Sequence, residues 1–141
     1  MHKKIKIFEI ERPYNFKSPF DGKAFALLLH VSDQSITNYE QNSLSEQFVS
    51  QGCRYAVCSG YQCSTWDDSI DWAALEKSNF EDNDNQFVMT TWHKDQSIDD
   101  IVFFFIRNTN YDTFTPTNFC VVILGKDDIT KYRIANAIKS L

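Results

Sequence analysis

The sequence predicts a three-layer α/β domain, flavodoxin-like or Rossmann-like, in which helices cover both faces of a mostly parallel sheet of four to five strands. Short apolar runs recur along the chain, and segments with helical spacing separate them. The 141 residues suit one domain, so we expect a single domain over residues 1–141. Strands that alternate with helices also imply right-handed crossovers.

The first strand is predicted over residues 5–10, where the side chains alternate with the period of two that is typical of a sheet edge. Residues 12–22 follow with two of the three prolines and an Asp21-Gly22 turn signal, a composition too irregular for a helix. Because this connection is too short for an ordinary helical crossover, the first strand is free to run antiparallel to the next.

Four further strands form the predicted parallel core. Residues 24–31 (AFALLLHV) are a continuous apolar run, as expected of a strand that is covered on both faces. Residues 55–58 and 119–124 have the same character, whereas residues 87–91 are a shorter, β-branched strand. These segments place four strand ends at one edge of the sheet.

Two helices are predicted in the first half of the chain. The first covers about residues 35–51, with Ser43 and Glu46 as a capping box. The second is short and begins at Asp67 or Asp68.

Two further helices are predicted in the second half. Ser97 and Asp100 form an N-cap pattern for the third helix, and Asp127 with Asp128 suits the start of the fourth. The apolar residues that the fourth helix is predicted to bury are Ile134, Ile138 and Leu141.

The charge balance argues against a nucleic-acid ligand. The chain has 19 acidic and 14 basic residues and a formal net charge of −5, whereas phosphate-backbone binders carry clustered Lys and Arg. An acidic surface is instead attracted to basic partners.

The sequence predicts a cytoplasmic protein without a membrane association. Lys6 and Glu9 interrupt the apolar stretch near the amino terminus, so it lacks the core of a signal peptide. No apolar run approaches the ~20 residues that span a bilayer. The four cysteines are then expected to be reduced thiols.

The carboxyl ends of the predicted strands form the expected functional edge, since open parallel sheets bind ligands there. One hypothesis is a metal site made by Cys58, Cys63 and His93, with His30 as a further ligand. A second makes Cys58 or Cys63 a nucleophile with His93 as its base and Asp67 nearby. Buried or incidental thiols remain the interpretation that the spacing favours, because no CxxC pair is present.

No cofactor is predicted. The four glycines form neither a GxGxxG pattern nor a GxxxxGK[ST] loop. Gly125-Lys126-Asp127-Asp128 joins a strand to a helix, and capping explains its paired acids better than catalysis does. Trp66, Trp72 and Trp92 are candidates for either core packing or a recognition surface. Trp66 and Trp92 fall on the functional edge, whereas core packing is favoured for Trp72.

Three segments carry a resemblance: residues 52–58 (GCRYAVC), 63–71 (CSTWDDSID) and 87–93 (FVMTTWH). They resemble signatures of a family of small uncharacterised bacterial α/β proteins, and the resemblance extends from Gly52 to the carboxyl terminus. It implies a bacterial source and no assigned activity, so it transfers no functional residue.

Two functional hypotheses follow. The first is a non-enzymatic acidic binding protein, of the bacterial immunity or antitoxin type, that inhibits a basic protein partner such as a toxin through the acidic segments 66–71 and 81–84. Its predicted contact residues are Trp66, Asp67, Asp68, Asp71, Trp92 and His93. The alternative is a small enzyme or ligand sensor that uses Cys58, Cys63, Asp67 and His93.

Overall fold

Strands and helices alternate along the chain in a computed structural model that describes residues 2–80, 87–112 and 114–141. The elements in order are β1 (Lys4–Ile10), β2 (Phe25–Val31), α1 (Asn38–Ser50), β3 (Cys53–Gly60), α2 (Cys63–Lys77), β4 (Met89–His93), α3 (Ile98–Arg107), β5 (Asn118–Leu124) and α4 (Asp128–Lys139). The predicted acidic segment 81–84 lies outside the described residues.

The five strands form one sheet in the order β1-β5-β2-β3-β4, and every neighbouring pair is parallel. This confirms the predicted three-layer α/β fold and the edge position of the first strand. An antiparallel first strand is wrong, because β5 lies between β1 and β2 and pairs in parallel with both. The connection from β1 to β2 therefore crosses over the sheet even though it contains no helix.

Three aromatic side chains let this connection take the place of a crossover helix. Tyr14, Phe16 and Phe20 are all buried. The Phe16 ring packs edge-on against Phe48 of α1, with ring centroids 4.9 Å apart, and also contacts Phe25 at 5.9 Å. The free energy gained by burying large aromatic rings offsets the conformational entropy lost when an irregular backbone is ordered.

The two faces of the sheet are covered by different elements. The β1–β2 connection, α1 and α2 pack on one face, together with Leu27 and Leu29 of β2. Helices α3 and α4 pack on the other face, together with Leu28. This alternation along β2 explains its continuous apolar sequence, because both sides of the strand are buried.

Helix α1 begins at a different cap from the predicted one. The Glu40 backbone N–H donates to Thr37 Oγ1 at 3.1 Å, and the Thr37 backbone N–H donates to Glu40 Oε1 at 3.0 Å. These reciprocal bonds are the capping box. The prediction of Ser43 with Glu46 is wrong, because both residues lie inside a helix that the Thr37 cap has already started.

Helix α2 begins at Cys63, four residues before the predicted start, and contains 15 residues rather than being short. Gly60 and Gln62 adopt positive φ angles of 86° and 54°, so the chain turns from β3 into the helix within two residues. A Gln residue seldom adopts the left-handed backbone conformation, so the sequence pattern did not predict this helix start.

The later helices follow the predicted caps more closely. Ser97 Oγ accepts from the Asp100 backbone N–H at 3.1 Å, as predicted for α3. In α4, Ile134 is buried and Ile138 partly so, but Leu141 is 44% exposed. The predicted burial of Leu141 is wrong, since α4 ends at Lys139 and the last residue no longer faces the sheet.

Candidate binding surface at the β4 edge

Cys58 and His93 point to opposite faces of the sheet. In the parallel pairing of β3 with β4, Cys58 lies opposite Trp92 and Ser59 lies opposite His93. Paired residues share a face and successive residues alternate. Cys58 therefore packs under α1 and α2, whereas the His93 ring packs on Phe104 of α3 with centroids 4.8 Å apart. The sheet itself separates Cys58, one of the two predicted nucleophiles, from the predicted base His93.

The cysteines are enclosed by the core. All four are buried free thiols. Burial raises the pKa of Cys58 well above its usual value and raises that of Cys120 to about 12. A neutral thiol is a poor nucleophile and a poor metal ligand. Cys63 is also buried, in the first turn of α2.

The two predicted histidines are held by local hydrogen bonds. His93 Nε2 lies 2.9 Å from Thr91 Oγ1, and its Nδ1 lies 3.0 Å from Gln96 Oε1. His30 Nδ1 lies 2.9 Å from Ser59 Oγ, and burial lowers the pKa of His30. Within the described part of the chain, no three His, Cys, Asp or Glu side chains are arranged to hold a metal ion.

A cavity of about 500 Å³ opens between the carboxyl ends of β2 and β5. This is the switch point of the sheet, because β2 leads to α1 on one face and β5 leads to α4 on the other. Its lining includes Arg12, Tyr14 and Asp33. Tyr14 donates to Asp33 at 2.5 Å, and Arg12 donates to Glu40 at 2.7 and 2.9 Å. Tyr14 and Asp33 thus bond to each other, and Arg12 is held by Glu40 of α1.

The start of α4, beside the same cavity, is unsuited to a phosphate. Asp127 Oδ1 accepts the Thr130 backbone N–H at 3.0 Å, and Glu9 Oε2 accepts the Asp127 backbone N–H at 2.7 Å. Two carboxylates therefore occupy the positive end of the helix, where phosphates bind in nucleotide-binding folds. A phosphate at this position would meet like charge.

The outer face of α2 carries exposed acidic and apolar side chains. Asp68, Asp71, Trp72 and Leu75 recur at intervals of three and four residues, which places them on one face of the helix. Trp72 is 57% exposed, and its ring contacts Phe80 edge-on at 5.5 Å. Large aromatic side chains that remain this exposed are candidates for an interface.

The edge strand β4 continues this surface. Trp92 is 51% exposed and lies on the sheet face that α2 covers, because it is paired with Cys58. Thr90, on the same face, bonds to Asp67 of α2. We name the combined region the α2–β4 surface, which consists of Asp68, Asp71, Trp72, Leu75, Phe80 and Trp92.

The predicted contact residues divide between this surface and the interior. Asp68, Asp71 and Trp92 lie on the α2–β4 surface. Trp66 and Asp67 are buried on the inner face of α2, and His93 is buried on the opposite face of the sheet.

The sequence favoured core packing for Trp72, which is wrong because the side chain is exposed, and it gave no role to Leu75 and Phe80. A helix that starts at Cys63 and buries Trp66, Ile70 and Ala73 turns Asp68, Trp72 and Leu75 outward. The signal was therefore present in the helical spacing, but it depended on the correct start of α2.

The whole fold falls within one family. A family model described as a domain of unknown function, DUF7684, matches residues 5–140. The chain belongs to the DUF7684 family. The match begins well before Gly52, where the resemblance to small bacterial α/β proteins starts, and it does not test the three sequence motifs. No curated protein matches this DUF7684 chain. None of its described helices is long and apolar enough to cross a membrane.

Two carboxylates of α2 in this DUF7684 protein lose part of their solvation, Asp67 on the inner face and Asp71 on the α2–β4 surface. Burial raises the pKa values of Asp67 and Asp71, and bonding with Thr90 opposes the rise in both. Each group carries its negative charge at a cost in free energy. A cation placed near them would relieve that cost.

Proposed function

We propose that this DUF7684 protein is a non-enzymatic binding protein whose α2–β4 surface contacts a basic protein partner. In its most specific form, the proposal makes it an inhibitor of the bacterial immunity or antitoxin type, which occludes a basic toxin surface. The observation that carries it is the exposure of Trp72 on the same helix face as the exposed Asp68 and Asp71, with Trp92 exposed on the strand that α2 contacts.

The composition of the surface supports this proposal. Tryptophan contributes large buried area and often dominates the free energy of binding at protein interfaces. Carboxylates around it speed the encounter with a basic partner and disfavour acidic ones. The formal net charge of −5 acts in the same direction.

The small-enzyme or sensor alternative has no comparable support. It requires Cys58, Cys63 and His93 to converge, with Asp67 nearby, but Cys58 and His93 face opposite sides of the sheet. At the switch-point cavity Tyr14 bonds to Asp33 and Arg12 bonds to Glu40, and carboxylates occupy the adjacent helix start. No observation on the described residues therefore favours catalysis over binding.

The experiment is capture of the partner from host cells at low salt, followed by native mass spectrometry. Three proteins are compared: the wild type, an Asp68→Lys/Asp71→Lys variant of the α2–β4 surface, and a Glu11→Lys/Glu46→Lys variant. The last changes the net charge equally, at exposed positions outside that surface. Circular dichroism first confirms that all three are folded.

We expect one basic protein to bind the wild type and the control but not the Asp68/Asp71 variant. The complex should re-form from purified components, and its affinity should fall at least about tenfold when moderate salt is added, because the attraction is screened. Trp72→Ala should weaken it by about tenfold or more. Equal binding by the wild type and both charge variants would refute the proposal. Binding that is insensitive to both salt and Trp72→Ala would also refute it.

A further inference from the structure

The two edges of the sheet differ in their protection against strand pairing. The edge strand β1 carries Lys4, Lys6 and Glu9. Charged side chains on an edge strand hinder the addition of another strand. The opposite edge strand β4 has the sequence MTTWH, with no Lys, Arg, Asp, Glu or Pro. Its pairing with β3 is continuous from Met89 to His93, without a bulge. Only one of the two edges therefore carries the usual protection.

An edge strand presents backbone groups that lack a neighbour. Among the described residues, β4 pairs with β3 on one side and with no strand on the other. Alternate N–H and C=O groups of a strand point to each side, so the outer set is available to an incoming strand. Strand addition of this kind is a common mode of peptide recognition.

We propose that β4 is extended by a sixth strand, contributed by a basic, extended segment of the partner protein. This inference rests on the proposed function and specifies how the partner is bound. The main-chain hydrogen bonds would come from the outer edge of β4, and the selectivity for a basic segment would come from the adjacent face of α2.

The side chains beside β4 specify the pattern of that segment. On the α2 side of the sheet, an added strand would pass near Trp92 and the exposed carboxylates Asp68 and Asp71. Lys or Arg at alternate positions, about 6.6 Å apart along a strand, would serve both the carboxylates and the exposed indole ring. The intervening positions would lie beside Met89 and Thr91, where β-branched side chains pack well.

Charge also decides between a partner segment and a second copy of this chain. Two β4 strands paired about a two-fold axis would place the two α2 helices side by side on the same face. Asp68 and Asp71 of one copy would then face those of the other. Like charges oppose that dimer and favour a basic occupant.

The test uses a synthetic alternating peptide, acetyl-KVKVKVK-amide, titrated into the isotope-labelled full chain and followed by NMR. We expect the peptide to slow exchange of the outer β4 amide protons at least about tenfold and to give NOEs between its backbone and that of β4. A peptide with Glu in place of every Lys should bind at least about tenfold more weakly. The Asp68→Lys/Asp71→Lys variant should show the same loss.

Two N-methylated peptides isolate the main-chain contribution. One peptide carries a methyl group on the backbone amide nitrogen of every Lys residue. The other carries it on the backbone amide nitrogen of every Val residue. Because only one of these sets points toward β4, one peptide should lose the β4 protection and the other should keep it. Equal binding of both at the affinity of the parent peptide would overturn strand addition, as would peptide binding without β4 protection.

The outcomes separate this inference from the proposed function. If a captured basic partner depends on Asp68 and Asp71 but leaves β4 exchange unchanged, strand addition is wrong and the binding function stands. If β4 becomes protected as the protein concentration rises without any peptide, a second copy is the occupant and the inference is likewise wrong. Analytical ultracentrifugation of the free chain identifies that case.

Discussion

Thr90 on the edge strand donates a hydrogen bond of 3.0 Å to Asp67 on the inner face of α2. Asp67 is only 8% exposed, and its burial raises the pKa of the carboxyl group although the Thr90 bond lowers it. Nearby Asp71 raises the same pKa further. The contact between α2 and β4 thus contains a carboxylate whose charged form is disfavoured by its surroundings.

The first prediction concerns this carboxylate. Because its folded-state pKa is raised above its unfolded value, ionised Asp67 opposes folding at neutral pH, and this cost disappears as the pH falls through the two pKa values. Asp67→Asn keeps a carbonyl acceptor for Thr90 and should unfold at a higher temperature at pH 7. The advantage over wild type should vanish in acid. Thermal melts from pH 7 to pH 3 measure it, with exposed Glu46→Gln as the control. A lower melting temperature for Asp67→Asn at pH 7 would contradict the prediction.

The second prediction concerns the opposite behaviour at Glu40. The Arg12 side chain, and then the Thr37 backbone N–H, lower the pKa of Glu40 from 4.5 to about 2. Its stabilising effect is therefore complete above pH 4.5 and is lost as the pH falls toward about 2. Glu40→Gln should be less stable than wild type at pH 7, and the two should converge in acid. Urea unfolding at several pH values tests this against Glu46→Gln, and a difference that persists at pH 2 would argue against the assignment.

The third prediction concerns the cap of α1. Thr37→Ala removes the side-chain acceptor and should lower the free energy of unfolding by about 1 kcal/mol. Thr37→Ser should retain most of it. Ser43 accepts only a bond from the Gln47 side chain at 3.1 Å, so Ser43→Ala should cost less than about 0.5 kcal/mol. Urea denaturation of the three variants distinguishes the two caps. A larger loss of stability for Ser43→Ala than for Thr37→Ala would contradict Thr37 as the N-cap.

The fourth prediction concerns thiol reactivity. Burial encloses all four cysteines, and the pKa of Cys58 is raised well above its usual value. A thiol reagent such as dithionitrobenzoate should modify the native protein only slowly and should modify all four thiols once urea unfolds it. Rapid modification of one thiol, lost on Cys58→Ala, would instead indicate an accessible nucleophile and would reopen the enzyme hypothesis.

The fifth prediction concerns the turn after β3. A Cβ atom at Gly60 would lie 2.4 Å from the Val31 carbonyl oxygen, and its φ is 86°. Gly60→Ala should lower the free energy of unfolding by more than about 2 kcal/mol. Gly22 also has a positive φ, 78°, but a Cβ there meets nothing within 4 Å. Gly22→Ala should therefore cost only about 1 kcal/mol, and equal losses in urea denaturation would mean that crowding at Gly60 contributes nothing.

The local features of the fold were determined by the sequence itself. The apolar runs of β2 and β5 predict buried strands because a parallel strand loses solvent on both faces. The N-cap of α3 is likewise readable, since Ser97 and Asp100 contact each other within one helical turn. Such features depend on residues that are close along the chain, but spacing does not always select the right ones, since Ser43 with Glu46 has the same capping-box spacing as Thr37 with Glu40.

Tertiary structure decided the strand order, the start of α2 and the separation of the predicted site. The position of β5 between β1 and β2 arises from pairing between segments more than 80 residues apart, about which local patterns carry no information. The placement of Cys58 and His93 depends on the register of β3 and β4, and a shift by one residue would move either side chain to the other face. The sequence supplies the strands and their side chains, but only their pairing decides which side chains meet.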